Sequence, residues 1–282
     1  MTIIEAIFLG IIQGLTEFIP ISSTGHLTLA GKFLNLISDE NPQRWTAFIA
    51  IIQLGTLLSV FIYFWKDLIN ISLAFVKDNL KERKPFNNQT LNSRLGWLII
   101  VGTVPIVIIG LGFKDLIEGN LTKNLYVISA SLIILAVILF IAEKVASFKK
   151  DLDKITVLDS IVVGIAQALA LIPGSSRSGT TITASLFLGM KRDVAARFSF
   201  LLSVPAIFTS GILQLYEGLK ILSPDMFINV IIATIVSAIS GYWAIDFLIK
   251  FLKSNSTFIF IVYRIVLGGI IIILLTNHII KP

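Results

Sequence analysis

Six runs of roughly 20 mostly apolar residues dominate this chain, at about Trp45 to Trp65, Leu95 to Phe113, Leu125 to Glu143, Ala195 to Leu215, Phe227 to Ile249 and Phe258 to Thr276. A helix of that length rises about 30 Å, the thickness of a bilayer's hydrocarbon core. With 55% hydrophobic residues, 14% charged residues and a mean hydropathy of +0.90, the chain reads as an all-α integral membrane protein. Trp45 and Trp65 bracket the first run and Trp97 opens the second, as an aromatic belt would place them.

The net charge of +6 does not indicate a nucleic-acid partner, because the basic residues sit in short connections and form no stripe. They follow the positive-inside rule instead. Lys66, Lys77, Lys81, Arg83, Lys84 and Arg94, then Lys144, Lys149, Lys150 and Lys154, then Lys191, Arg192 and Arg197, and finally Lys250 and Lys253 all fall on one side of a six-span arrangement. That side is the cytoplasmic one. The absence of cysteine excludes disulfides and thiolate metal sites. The first apolar stretch lacks a basic n-region and carries Glu5 and Glu17, so it is not read as a signal peptide.

Two segments outside the six runs repeat each other: GIIQGLTEFIPISSTGH from Gly10 to His26, and GIAQALALIPGSSRSGT from Gly164 to Thr180. The glutamines, Gln13 and Gln167, are offset by 154 positions, and the pairing of Ser23 with Ser176 gives 153, as if one residue had been lost. Ile3 to Ile19 and Leu158 to Ile172 are too short to cross, are broken by Pro20 and Pro173, and are followed by helix-like pieces at Thr24 to Leu36 and Gly179 to Met190. Such pairs read as re-entrant hairpins. One hairpin plus three spans, repeated, makes an inverted-topology pair of about 1–145 and 155–282 within a single membrane domain. The hairpin tips then meet near the midplane from opposite faces. The loop from Lys77 to Thr90 is expected to be polar and mobile.

Titratable groups in apolar segments are costly and therefore mark function. The first tip supplies Gln13, Glu17, Ser22, Ser23, Thr24 and His26, with Gln13 and Glu17 sharing a helix face and Ser22 or Ser23 capping the next helix. The second supplies Ser175, Ser176, Arg177, Ser178, Thr180 and Thr181 at another helix start. Two helix N-termini and an arginine fork form a pocket for an anion, and phosphate fits it best. A carboxylate, a histidine and hydroxyls beside it are the groups needed for acid–base or nucleophilic hydrolysis. Lower in rank, Asp246 and Arg264 are expected to pair, Gln53 and Ser203 to correspond and line the cavity, His278 to sit at the outer interface, and Tyr242 and Trp243 to serve aromatic packing.

The strings QGLTEFIPISSTGH and PGSSRSGTT resemble the undecaprenyl-pyrophosphate phosphatases, the bacitracin-resistance membrane phosphatases. The likeness extends to FIAIIQLGTLLSV and RFSFLLSVP and so to essentially the whole chain. It implies hydrolysis of undecaprenyl diphosphate to undecaprenyl phosphate and inorganic phosphate, which recycles the lipid carrier of peptidoglycan synthesis. It also implies a Mg2+ or Ca2+ cofactor, the plasma (inner) membrane, and a site facing the periplasm. By position it makes Glu17, Ser23, His26 and Arg177 catalytic and Gln13, Ser22, Thr24, Ser176, Ser178 and Thr181 substrate-binding, with Glu17 as a metal ligand. The family's acidic motif begins with glutamate or glutamine, and with Gln13 this chain resembles the glutamine form, which leaves one carboxylate at the tip. Ser23 is the first choice of nucleophile with Glu17 as base; phosphohistidine at His26 and water activated by Glu17 stay open. Lipid bilayer and polyprenyl diphosphate are the expected partners, and a homodimer is admitted. A transporter or flippase is the main rival, since inverted repeats with a midplane anion site suit transport. A phosphatidic-acid-type phosphatase needs two histidines and an aspartate, which His26 and His278 do not supply.

Overall fold

The computed structural model describes residues 1–38, 42–113, 123–221 and 224–281. Helix α1 (Ile3–Phe18) starts at a capping box: the Thr2 hydroxyl accepts from the Glu5 amide, and the Glu5 carboxylate accepts from the Thr2 amide. It stops because Pro20 forces Ile19 into extended backbone, with ψ 134°. Helix α2 (Ser23–Phe33) turns back from there, and α3 (Pro42–Tyr63), α4 (Trp65–Val76), α5 (Leu91–Gly112) and α6 (Leu125–Val145) follow. Next come α7 (Val157–Ala168), α8 (Arg177–Phe187), α9 (Arg192–Ile221), α10 (Pro224–Ser254) and α11 (Phe258–Thr276). Among the described residues the only β pairing is an isolated bridge between Lys150 and Met190.

Helices α3, α5, α6, α9, α10 and α11 are long and apolar enough to cross a bilayer. Their outward faces carry Ile108, Ile134, Ile239, Ile259 and Ile273, each more than half exposed. A continuous apolar belt of this extent is stable against lipid and not against water. The protein is therefore a multi-pass membrane protein. Trp65 is exposed as a belt residue should be, but Trp45 is not: only 5% of it is exposed, because α2 folds over it and Gly31 lies against its ring. Trp243 turns outward, 67% exposed, instead of packing, whereas Tyr242 does meet Tyr63 with ring centroids 5.5 Å apart.

The two halves keep one spacing. The capping box of α1 recurs in α7, where Thr156 and Asp159 stand 154 positions after Thr2 and Glu5. Helix α2 is capped by Ser22 (φ 77°, ψ 99°), whose hydroxyl accepts from the Gly25 amide at 3.2 Å. Helix α8 is capped by Ser176 (φ 68°, ψ 110°), accepting from Gly179 at 3.1 Å, and 176 − 22 = 154. The expected one-residue loss is thus corrected. Ser22 corresponds to Ser176, Ser23 to Arg177 and His26 to Thr180, and no residue is missing between glutamine and cap. Gln53 lines the cavity described below, whereas Ser203 does not and donates to the Phe200 carbonyl within its own helix.

Packing follows the small residues. Helix α1 lies along α10, and α7 along α5. A Cβ on Gly10 would come 2.6 Å from the Ala233 carbonyl, and Gly164 is pressed in the same way against Gly102. Close backbone approach of this kind is how helices associate in lipid. Buried hydroxyls close the contacts, Ser237 donating to the Ile52 carbonyl and Ser160 to that of Leu98.

The loop from Lys77 to Thr90 has a built polar centre instead of being a loose connection. Buried Asp78 accepts from the Thr90 amide and hydroxyl at 2.8 Å each and from Lys84 Nζ at 3.1 Å. The Thr90 amide first, then the Thr90 hydroxyl and Lys84, hold its carboxyl below the usual aspartate range. Asn79 Oδ1 accepts from Gln89 and from the Trp97 indole, which ties the loop to the start of α5.

Candidate active site

Glu17 occupies the last turn of α1, Ser23 the first residue of α2 and Arg177 the first residue of α8, so the two tips meet at one carboxylate. Arg177 Nη2 donates to Glu17 Oε1 at 2.6 Å across 160 residues of sequence. Ser23 Oγ donates to Glu17 Oε2 at 2.7 Å, and Gln13 Nε2 donates to the same oxygen at 2.9 Å, as their shared helix face requires. All four residues are buried or nearly so. Each buried charge has its partner, without which burial would be prohibitive.

The residues that position these groups are local. Ser22 and Ser176 adopt a left-handed φ that non-glycine residues rarely hold, and each spends its hydroxyl on capping its own helix. That sharp turn aims the N-terminal amides of α2 and α8 at the meeting point, where an anion is stabilised by unbonded N–H groups and by the helix dipoles. Ser178 Oγ contacts Ser176 Oγ at 3.2 Å and donates to the Ile19 carbonyl at 3.3 Å, joining the tips directly. Thr181 pairs with Ser199 on α9 at 2.6 Å, fixing α8 from behind.

Glu17, Ser22, Ser23, Thr24, Ser176 and Arg177 line one end of a cavity of about 330 Å3. Its walls continue over α3, α5 and α9 through apolar side chains such as Ile49, Ile106, Val107, Leu111, Ile207 and Leu213. Around the polar end, Arg177 Nη1, Trp45 Nε1 and Thr28 Oγ1 are buried with no hydrogen-bond partner. An unpaired buried donor costs about 1–3 kcal/mol, and three of them facing one cavity fit an oxygen-rich ligand there.

Not every expected residue reaches this cavity. Gln13, Ser178 and Thr181 stand behind it as supports, and His26 faces the other way, toward α11. The expected pairing of Asp246 with Arg264 does not occur. Asp246 accepts from Lys250 at 2.8 Å and Tyr63 at 3.3 Å. Arg264 is buried among carbonyls, donating through Nη1 to Pro20 at 3.5 Å and through Nη2 to Ser175 at 3.0 Å, with Ser131 and Leu132 completing its set. It therefore holds both tips at once. Arg264 ranks low in the sequence, Trp45 reads there as a belt residue, and Tyr263 and Lys123, a buried cavity-lining lysine, draw no notice. A tyrosine–arginine pair inside an apolar span, and a lysine on the side that the charge rule leaves poor in cations, were the available signals.

The family model described as "Bacitracin resistance protein BacA" matches residues 6–270. The chain belongs to that family. Among curated relatives of the BacA family chain, a protein of Syntrophobacter fumaroxidans is 52% identical over 99% of both chains, one of Chloroherpeton thalassium 50% identical over 98% of both, and one of Pelodictyon phaeoclathratiforme 47% identical over the full length of both. Each of the three is named undecaprenyl-diphosphatase.

Proposed function

We propose that this BacA family member is an undecaprenyl-diphosphate phosphatase, hydrolysing the lipid diphosphate to undecaprenyl phosphate and inorganic phosphate. Membership of the family and full-length relatives of that name support the activity. The observation that carries the chemistry is the Ser23–Glu17–Arg177 junction at the polar end of a cavity with apolar walls. A diphosphate headgroup suits the junction, and a polyprenyl chain suits the walls.

In this reading Ser23 Oγ attacks the terminal phosphorus while its proton passes to Glu17 Oε2, to which it is already bonded. The bond from that phosphorus to the bridging oxygen breaks, and undecaprenyl phosphate leaves. Glu17 passes that proton to the leaving undecaprenyl phosphate, then takes one from a water that attacks phosphoserine, and returns it to Ser23 Oγ as phosphate is released. Arg177, whose second guanidinium nitrogen is unpaired, and the amides of α2 and α8 stabilise the charge on the transferring oxygens. Gln13 orients Glu17; Ser22, Thr24, Ser176, Ser178 and Thr181 shape and brace the anion pocket.

The described residues hold no cluster of three His, Asp or Glu side chains, so a metal would rely on the substrate for most of its oxygen ligands. The donors present fit that arrangement: Glu17 offers the one carboxylate, and the unpartnered Gln13 Oε1 lies behind it. Mg2+ or Ca2+ bound there would neutralise phosphate charge.

The same reading makes α1–α2 and α7–α8 re-entrant hairpins of an inverted repeat, spanning 1–145 and 155–282 in one membrane domain. The constant spacing of 154 and the reciprocal packing of α1 on α10 and α7 on α5 support it. Basic connections on one side favour the plasma (inner) membrane with the site open to the outer face. All the proposed catalytic groups come from one chain, so a homodimer would carry two independent sites.

Detergent-solubilised protein is expected to release phosphate from undecaprenyl diphosphate without any membrane gradient. Arg177→Ala should lower kcat at least about 1,000-fold while the protein still inserts. Gradient-dependent turnover, or an Arg177→Ala variant within ten-fold of the parent, would sink the reading.

A further inference from the structure

The ring of His26 turns away from the cavity, yet both of its nitrogens are engaged. Nδ1 lies 2.7 Å from the Ser22 carbonyl, and Nε2 lies 2.6 Å from the hydroxyl of Tyr263 on α11. A carbonyl only accepts, so Nδ1 carries a hydrogen. The neutral ring then accepts at Nε2, and Tyr263 donates to it. The two rings lie within 9° of parallel, with centroids 5.6 Å apart, so Tyr263 fixes both the tautomer and the tilt of the imidazole.

The receiving carbonyl belongs to the residue that most needs holding. Ser22 sits at φ 77°, and its carbonyl also accepts from the His26 amide at 3.3 Å. A non-glycine residue in that region costs of order 1–3 kcal/mol and persists only where its surroundings over-determine it. The next residue is Ser23, whose Oγ must keep its direction toward Glu17 Oε2. The molecule contains its own comparison. Ser176 makes the same turn at φ 68° and its carbonyl accepts from the Thr180 amide at 2.9 Å, but the side chain of Thr180, the counterpart of His26, donates to the Arg177 carbonyl of its own helix. Arg264 steadies the second turn at the Ser175 carbonyl, as it steadies the first at Pro20, but the turn that presents the reactive hydroxyl is held in addition at its own cap carbonyl, by the His26 ring that Tyr263 ties to α11.

We propose that Tyr263 is a positioning residue for this phosphatase, acting through His26 to lock the Ser22 turn that aims Ser23. This rests on the functional reading above. It also removes His26 as the nucleophile, since the ring offers the cavity no free nitrogen.

The test uses the full chain in detergent. Tyr263→Phe, which removes one oxygen, should lower kcat about ten-fold and leave KM within about two-fold. Because Tyr263 acts through His26, Tyr263→Phe combined with His26→Ala should be no slower than His26→Ala alone. The chain has two histidines, so 15N NMR resolves His26 against exposed His278 as reference. Wild-type protein should show His26 protonated at Nδ1 with an acceptor Nε2, and Tyr263→Phe should shift the Nε2 resonance. An unchanged kcat in a folded Tyr263→Phe variant, losses that multiply in the double variant, or a proton on Nε2 in the wild type would each overturn the proposal. The NMR arm reads the relay without turnover, so a wild-type protein that releases no phosphate defeats the functional reading and leaves the relay judged separately. Should Tyr263→Phe fail to fold, the wild-type tautomer decides.

Discussion

At the scale of single residues, the Glu17–Arg177 pair joins the two tips and, in the proposed mechanism, also serves the chemistry, and removing one member is worse than removing both. The pair is nearly buried, with side-chain exposures of 4% and 14%. Glu17→Gln leaves a guanidinium without its counter-ion, which costs about 3 kcal/mol in comparable buried sites. The expected outcome is a lower thermal midpoint for Glu17→Gln in detergent, and partial recovery when Arg177→Met is added; additive losses would show that the pair does not couple. The residues themselves were legible in sequence because charge in an apolar segment is costly. Their correspondence was not. Pairing Ser23 with Ser176 followed letter identity, whereas the cap geometry pairs Ser23 with Arg177, and a left-handed turn leaves no mark in a string of serines.

At the scale of elements, the six spans could be read from length and hydropathy, and the breaks at Pro20 and Pro173 from the clash that proline imposes on its predecessor. The loop after α4 could not, because polar composition is the same for a solvated coil and for a network closed around Asp78. That network makes a pH prediction. The Asp78 carboxyl is held below its usual range, so its contribution is complete above the ordinary aspartate pKa of about 3.9 and is lost as pH falls through the lower value of the folded state. Trp97 fluorescence, read with the other tryptophans replaced by phenylalanine, should stay constant down to about pH 4 and shift to the red below it. Asp78→Asn should abolish that acid step. A step centred near neutrality would contradict the assignment.

For the whole molecule, charge distribution is the feature that sequence conveys best, since lysines and arginines are read by a rule that ignores folding detail. The absence of native cysteine makes orientation directly measurable. With inverted repeats, Lys81→Cys and Ser256→Cys should react with an impermeant thiol reagent only after the cells are opened, and His278→Cys in intact cells. The opposite pattern would turn the molecule over, and labelling of all three from outside would end the six-span topology. What sequence could not convey at this scale is how distant segments brace the site. Arg264 and Tyr263 look like stray polar residues in an apolar span until the tips are seen resting on them.

That support has a consequence for the order in which the protein is made. Pro20 and Arg264 are separated by 244 positions, so the first tip waits through most of translation before its support arrives. A nascent chain stalled before Phe258 already owns Glu17, Ser23 and Arg177 and their mutual bonds, yet it lacks the Arg264 and Tyr263 contacts that brace both tips from α11. The bracing of both tips is thus complete only with the insertion of α11, the last helix of the chain to be made.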